Sequence, residues 1–253
     1  MSKGKTKFND KWFRIVEQNW SSVLGGNALL LPFALPLIVW LVICQCYSVL
    51  LKDAMDAVGG ALILTCLGLL PCVLIYFVGI AGTVNVNKSI LFDGSANVAK
   101  SFRQGIKRNA LRYLLFGFVM WLSFSVAVIT PSLYSLMGKG LLHGMGSVVA
   151  IVQAFAVIPI TCLAITQSAF YNDNLRDCFA NAVKLYFIRP LKTIGLTIVA
   201  MIPFCICVFL PFVWQLVFWV VYMVVGVSFG LIFLLVCHKA YFDWVIAQSQ
   251  QQK

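Results

Sequence analysis

The chain has 253 residues, of which 61% are hydrophobic and only 11% charged, with a formal net charge of +11. A soluble domain carries about 25% charged residues and could not hide this much apolar surface, so lipid must be the solvent for much of the chain. An excess of base points to nucleic acid in a soluble protein; here the bases fall in short intervals between apolar runs, the pattern of membrane topology and anionic headgroups.

The N-terminal stretch is basic and carries Phe8-Asn9-Asp10, followed by Trp12, Ile15, Val16 and Trp20 at helical spacing. The first apolar run after it is far longer than a signal-peptide core, and more follow, so a cleavable signal is not expected. Six runs of spanning length, about 20 residues each, are placed at Asn27–Leu51, Ala57–Ala81, Leu114–Met137, Met145–Ile165, Thr193–Leu210 and Phe212–Val236; none contains Lys, Arg, Asp or Glu. The expected fold is all-α: a polytopic membrane protein of six transmembrane helices in one domain, with a polar tail at 245–253. Pro32, Pro36, Pro71, Pro159 and Pro203 lie inside runs, where neighbouring helices can satisfy the carbonyl each proline frees, so kinks are expected.

With six spans, seventeen of the nineteen Lys and Arg fall on one side, and only Lys52 and Lys139 on the other. The positive-inside rule then places both termini in the cytoplasm. An odd number of spans would scatter the bases.

Between the second and third runs lies the longest polar interval, Leu91 to Arg112. Its apolar line is Val98, Phe102, Ile106 and Ala110, with Lys100, Arg103 and Lys107 opposite. Basic amphipathic helices of this kind lie in the membrane interface. Similar stretches follow Asp10 and Asp173, the latter through Leu175, Phe179, Ala182, Val183 and Tyr186. An aromatic or polar residue before Asp recurs at Phe8-Asn9-Asp10, Leu91-Phe92-Asp93, Tyr171-Asn172-Asp173 and Tyr241-Phe242-Asp243. The reading is three helix-hairpin units, 8–91, 92–170 and 171–240. In each, Asp10, Asp93 or Asp173 would cap an interfacial helix by accepting from its first free amides.

Three strings resemble one family. An aromatic helix ends at Asn19-Trp20 before Leu31-Pro32 and Leu35-Pro36. Val78-Gly79-Ile80-Ala81-Gly82 closes the second run, and Phe102-Arg103-Gln104-Gly105-Ile106-Lys107-Arg108-Asn109 follows. Asp177-Cys178-Phe179-Ala180-Asn181-Ala182-Val183-Lys184-Leu185 leads to Arg189-Pro190-Leu191-Lys192-Thr193. Together, over about Trp12 to Ala240, they resemble the YesL-like family of bacterial integral membrane proteins, a domain of unknown function. The chain departs from it at Gly79-Ile80, where the family shows Gly-Pro. The resemblance implies a plasma-membrane location and a neighbourhood with carbohydrate ABC importers; it carries no catalytic residues over.

A membrane-embedded enzyme or ion-coupled carrier needs an ionisable group at membrane depth. Asp53 and Asp56 fall in an outer loop and the other six acids on the cytoplasmic side; His143 falls in an outer loop and His238 at the inner end of the last run. There is no metalloprotease helix, no phosphate-cradling loop and no nucleophile elbow. The nine cysteines show no zinc spacing; eight lie in or beside apolar runs, and Cys178 is placed in a basic loop. No catalytic, cofactor or metal site is expected. Neutral polar residues within or beside the runs, Asn85, Asn87, Gln153, Gln167, Gln215, Thr130 and Thr197, read as interhelical hydrogen bonds or the lining of a small polar cavity. The functional expectation is a non-enzymatic accessory or scaffold protein, with membrane lipids and an ABC permease as partners. The bases offered to a partner or to headgroups are Lys100, Arg103, Lys107 and Arg108. The alternative is a small-molecule carrier or the substrate-binding membrane subunit of an importer.

Overall fold

Apolar runs without charge fold as helices in lipid, because only an intrachain ladder can satisfy their backbone there. The computed structural model describes residues 14–50, 58–94, 97–136, 140–171, 173–222 and 226–251 and is all-α, with no strand among the described residues. In chain order the helices are α1 (Trp20–Leu50), α2 (Val58–Asp93), α3 (Val98–Leu136), α4 (Gly140–Val152), a π-helical turn (Gln153–Val157), α5 (Ile158–Phe170), α6 (Leu175–Ile188), α7 (Pro190–Phe209), α8 (Phe212–Val221) and α9 (Val227–Gln251). Among the described residues, five stretches are long and apolar enough to cross a membrane: Trp20–Cys44, Ile63–Asp93, Val98–Ala127, Gly146–Phe170 and Val227–Gln248; counting the bent pair α6–α7 makes six. The protein has the architecture of a multi-pass α-helical membrane protein.

Several boundaries differ from expectation for physical reasons. The second run does not stop near Ala81: α2 continues to Asp93. At about 1.5 Å per residue its 36 residues reach about 54 Å, well past the roughly 30 Å hydrocarbon core. The basic stretch after Asn97 is not a separate interfacial helix but the first turns of α3, whose ladder runs on unbroken for 39 residues. By contrast α6 stands apart, turned 107° from α7. Arg189 breaks the ladder there with φ −146° and ψ 72°, as the residue before a proline tends to. In the sixth run α8 ends at Val221 and α9 starts at Val227, with Tyr222 and Gly226 π-helical and residues 223–225 outside the described residues. Most of the expected polar tail is helical too, as the last turns of α9.

The contacts form two compact units, one of Met1–Leu31, Gly79–Asn109 and Ala200–Lys253, the other of Pro32–Val78 and Ala110–Val199. The boundaries fall inside α1, α2, α3 and α7 rather than at those of the three expected hairpins. The aromatic-Asp strings also occupy unlike settings. Leu91-Phe92-Asp93 ends α2, Asp173 lies between α5 and α6, and Tyr241-Phe242-Asp243 lies within α9. Phe8-Asn9-Asp10 is outside the described residues.

In the first unit, glycines let backbones meet. A Cβ on Gly82 would lie 2.7 Å from the Phe102 ring, and one on Gly105 would lie 2.6 Å from the Ala81 carbonyl oxygen. Asn85 Nδ2 on α2 donates to the Ser101 carbonyl on α3 at 2.8 Å, an interhelical bond of the expected kind.

In the second unit, a tyrosine hydroxyl and two indoles donate to helix carbonyls that lie before prolines. Pro159 has no N–H to offer the Phe155 carbonyl one turn earlier. That oxygen accepts instead from the Tyr186 hydroxyl at 2.8 Å, which ties α6 to the π-helical turn. Just before Pro71, the carbonyls of Thr65 and Cys66 accept from the indole N–H of Trp40 at 3.1 Å and of Trp121 at 2.7 Å. Gly68 makes room for Trp40, since a Cβ there would fall 2.0 Å from the ring. Replacing Tyr186 with Phe leaves the Phe155 carbonyl unpaired and is expected to cost about 1–3 kcal/mol, measured as a lower thermal midpoint in detergent. An unchanged midpoint would show that the hydroxyl is not what satisfies that carbonyl.

Candidate functional site

Two features stand out for function, an exposed basic face and a buried polar core, both in the first unit. The basic face is the opening of α3. Lys100, Arg103, Lys107 and Arg108 are all exposed, while Phe102 and Gly105 on the other side are buried. Helical periodicity explains the division, since residues three and four apart share a face. The buried side is held against α2 by the Gly82–Phe102 and Gly105–Ala81 approaches, so the four cations stand on a fixed support.

The cap of this helix is not Asp93. Asp93 is the last residue of α2, and Asn97 Oδ1 accepts from the Lys100 amide at 3.2 Å. At α6 the N-cap position belongs to Asn174, with no side-chain cap hydrogen bond. Asp173 accepts instead from Gln167 Nε2 at 3.0 Å. Asn reaches the same free amides as Asp, and composition alone does not decide between neighbouring cap candidates. Asp10 lies outside the described residues.

The buried polar side chains of the first unit are Asn27, Thr83, Asn87, Ser228 and His238, each wholly removed from solvent. The Ser228 hydroxyl donates to Asn27 Oδ1 at 2.6 Å, joining α9 to α1. Thr83 turns back on its own helix and donates to the Gly79 carbonyl at 3.2 Å. Asn87 lies one turn beyond Thr83 on the same face of α2, and neither its amide nitrogen nor its oxygen has a partner. A Cβ on Gly26 would sit 3.3 Å from Val86, so Asn27 and Asn87 are each one residue along from a direct α1–α2 contact. The His238 ring packs on Phe242 with centroids 6.2 Å apart. Leaving a carboxamide unpaired in a dry interior costs several kcal/mol by the measure of transfer to hydrocarbon, about 4–8.

Sequence reasoning picked out Asn87 but missed Asn27 and Ser228, which pair across 201 positions. His238, expected at a run edge, is fully buried within α9. Of the other polar residues, Thr197 bonds within its own helix, to Thr193. In the second unit Gln167 is buried with Oε1 unpartnered.

Cys178 is not in a loop. It is buried in α6, its S–H donating to the Ala164 carbonyl at 3.2 Å. A water-soluble maleimide should therefore label exposed Cys46 well before Cys178 in folded, detergent-solubilised protein; equal rates would contradict this placement. Among the described residues, no group of three or more His, Cys, Asp or Glu is arranged to hold a metal ion.

Comparison with protein-family models, with curated proteins and with solved structures found no match to this chain.

Proposed function

We propose that this is a non-enzymatic accessory or scaffold protein of the bacterial plasma membrane, both termini cytoplasmic, which engages another membrane protein through the basic opening of α3. The observation behind this reading is the contrast between the faces of that helix. Lys100, Arg103, Lys107 and Arg108 are exposed, while the opposite side is locked onto α2 by Gly82 and Gly105. A rigid array of cations steers and registers an acidic partner surface without ordering itself on binding. The seventeen-to-two partition of bases supports the cytoplasmic orientation. The link to a carbohydrate ABC importer rests on the YesL-like resemblance alone.

Affinity purification of the full chain from native membranes, with and without Lys100→Glu, Arg103→Glu and Lys107→Glu together, tests this reading. A stoichiometric membrane-protein partner should be retained by the wild type and lost by the variant at equal expression. Retention by both would sink the basic face as the docking surface.

A second reading, a small-molecule carrier or substrate-binding membrane subunit, is favoured by one observation, the unpartnered Asn87 carboxamide. A ligand offering both a donor and an acceptor would satisfy it. Such a ligand would raise the thermal midpoint of the purified protein, because binding only the folded state stabilises it, and Asn87→Leu would abolish the rise.

A further inference from the structure

The turn between α6 and α7 belongs to neither feature above. Its ten residues from Val183 to Lys192 read Val-Lys-Leu-Tyr-Phe-Ile-Arg-Pro-Leu-Lys. Three are cations, Lys184, Arg189 and Lys192, all exposed. Three are large and apolar and yet stand out from the second unit: Phe187 is 71% exposed, Ile188 50% and Leu191 85%. The inner side of α6 is fixed by burial of Cys178, Ala182 and Tyr186 and by the Cys178 and Tyr186 hydrogen bonds to Ala164 and Phe155. The exposure is therefore built in rather than left by a loose helix. The 107° bend turns an amphipathic helix nearly across the axis of the apolar helix that follows, the relation of an interfacial helix to a span.

Charge identifies the occupant. Lys184, Arg189 and Lys192 put three exposed positive charges within nine residues, beside the exposed apolar tips. Aromatic and aliphatic tips flanked by Lys and Arg match the boundary where acyl chains meet phosphates. Arg presents a fork that fits a phosphate with two parallel hydrogen bonds. We propose that the α6–α7 elbow is a binding site for an anionic phospholipid, with Lys184, Arg189 and Lys192 on the headgroup phosphate and Phe187 and Leu191 among the acyl chains. This stands apart from the scaffold reading, which uses α3.

The test uses the full chain in detergent with phosphatidylglycerol, phosphatidylcholine or soluble glycerol phosphate added, read by native mass spectrometry and by thermal midpoint. The wild type should retain phosphatidylglycerol over phosphatidylcholine by on the order of tenfold and gain a higher midpoint from it, with no response to glycerol phosphate. Lys184→Gln, Arg189→Gln and Lys192→Gln together should erase that preference while leaving the midpoint in phosphatidylcholine unchanged. The same three changes at Lys100, Arg103 and Lys107 should leave it intact. Equal retention of both lipids by the wild type, or a preference that survives the elbow variant, overturns the proposal. A response to glycerol phosphate alone would mark a soluble phosphate site and also overturn it.

Discussion

Gly105→Ala should lower the thermal midpoint sharply, a loss of about 1–3 kcal/mol of the kind overpacking produces. The added Cβ would sit 2.6 Å from the Ala81 carbonyl oxygen, 2.7 Å from Asn85 Cβ and 3.0 Å from Gly82 Cα. Two of these three are backbone atoms, which cannot rotate aside as a side chain can, so α2 and α3 must part. That movement also stretches the Asn85–Ser101 hydrogen bond, 2.8 Å long, and loosens the support beneath the four cations. The contrasting control is Gly195→Ala on α7, where a Cβ would meet nothing within 4 Å. There the change should be neutral or stabilising by up to about 1 kcal/mol, through helix propensity alone. Equal effects at both positions would show that the close approach at Gly105 is not real.

Asn87→Leu is the second large effect and has the opposite sign. Leucine matches asparagine in heavy-atom count and branching, and the carboxamide it replaces is buried with both polar atoms unpaired. Removing an unsatisfied buried polar group should raise stability by about 1–3 kcal/mol. Asn27→Leu should do the reverse, because it strands the Ser228 hydroxyl that now donates to Asn27 at 2.6 Å. The pair of variants separates the two functional readings. If Asn87 serves only packing, the gain in stability should carry no loss of partner retention. If it meets a ligand, the more stable protein should be inactive in binding.

Much of the architecture was legible because it follows from periodicity and solvent. Uninterrupted apolar runs can only be helices in lipid, and the spacing of Phe102 against Lys100, Arg103 and Lys107 divides α3 into its observed faces. Proline chemistry foretold a freed carbonyl at Phe155, although not that Tyr186 would fill it. The helix limits were harder, since polarity at Asn85, Asn87 and Lys88 looks like the end of a span. Yet α2 runs on, because those residues bond, pack or reach the helix end inside a helical unit. The long-range features left no local trace. Gly105 reads like any glycine until Ala81 is known to face it, and the Asn27–Ser228 pair joins opposite ends of the chain. The cap at α3 falls to Asn97 because α2 does not end until Asp93 itself, four residues too early to reach the amides of α3, and at α6 the N-cap Asn174 makes no side-chain bond.

Side-specific labelling of single cysteines probes the orientation most directly. In a background without native cysteines, Lys107→Cys and Lys192→Cys each place a thiol at an exposed position, the first in the basic opening of α3 and the second in the first turn of α7. Both should resist a membrane-impermeant maleimide on intact cells and react in inside-out vesicles, while Lys52→Cys behaves oppositely. Labelling of Lys107→Cys and Lys192→Cys from opposite sides would mean an odd number of crossings between them and would contradict the proposed topology.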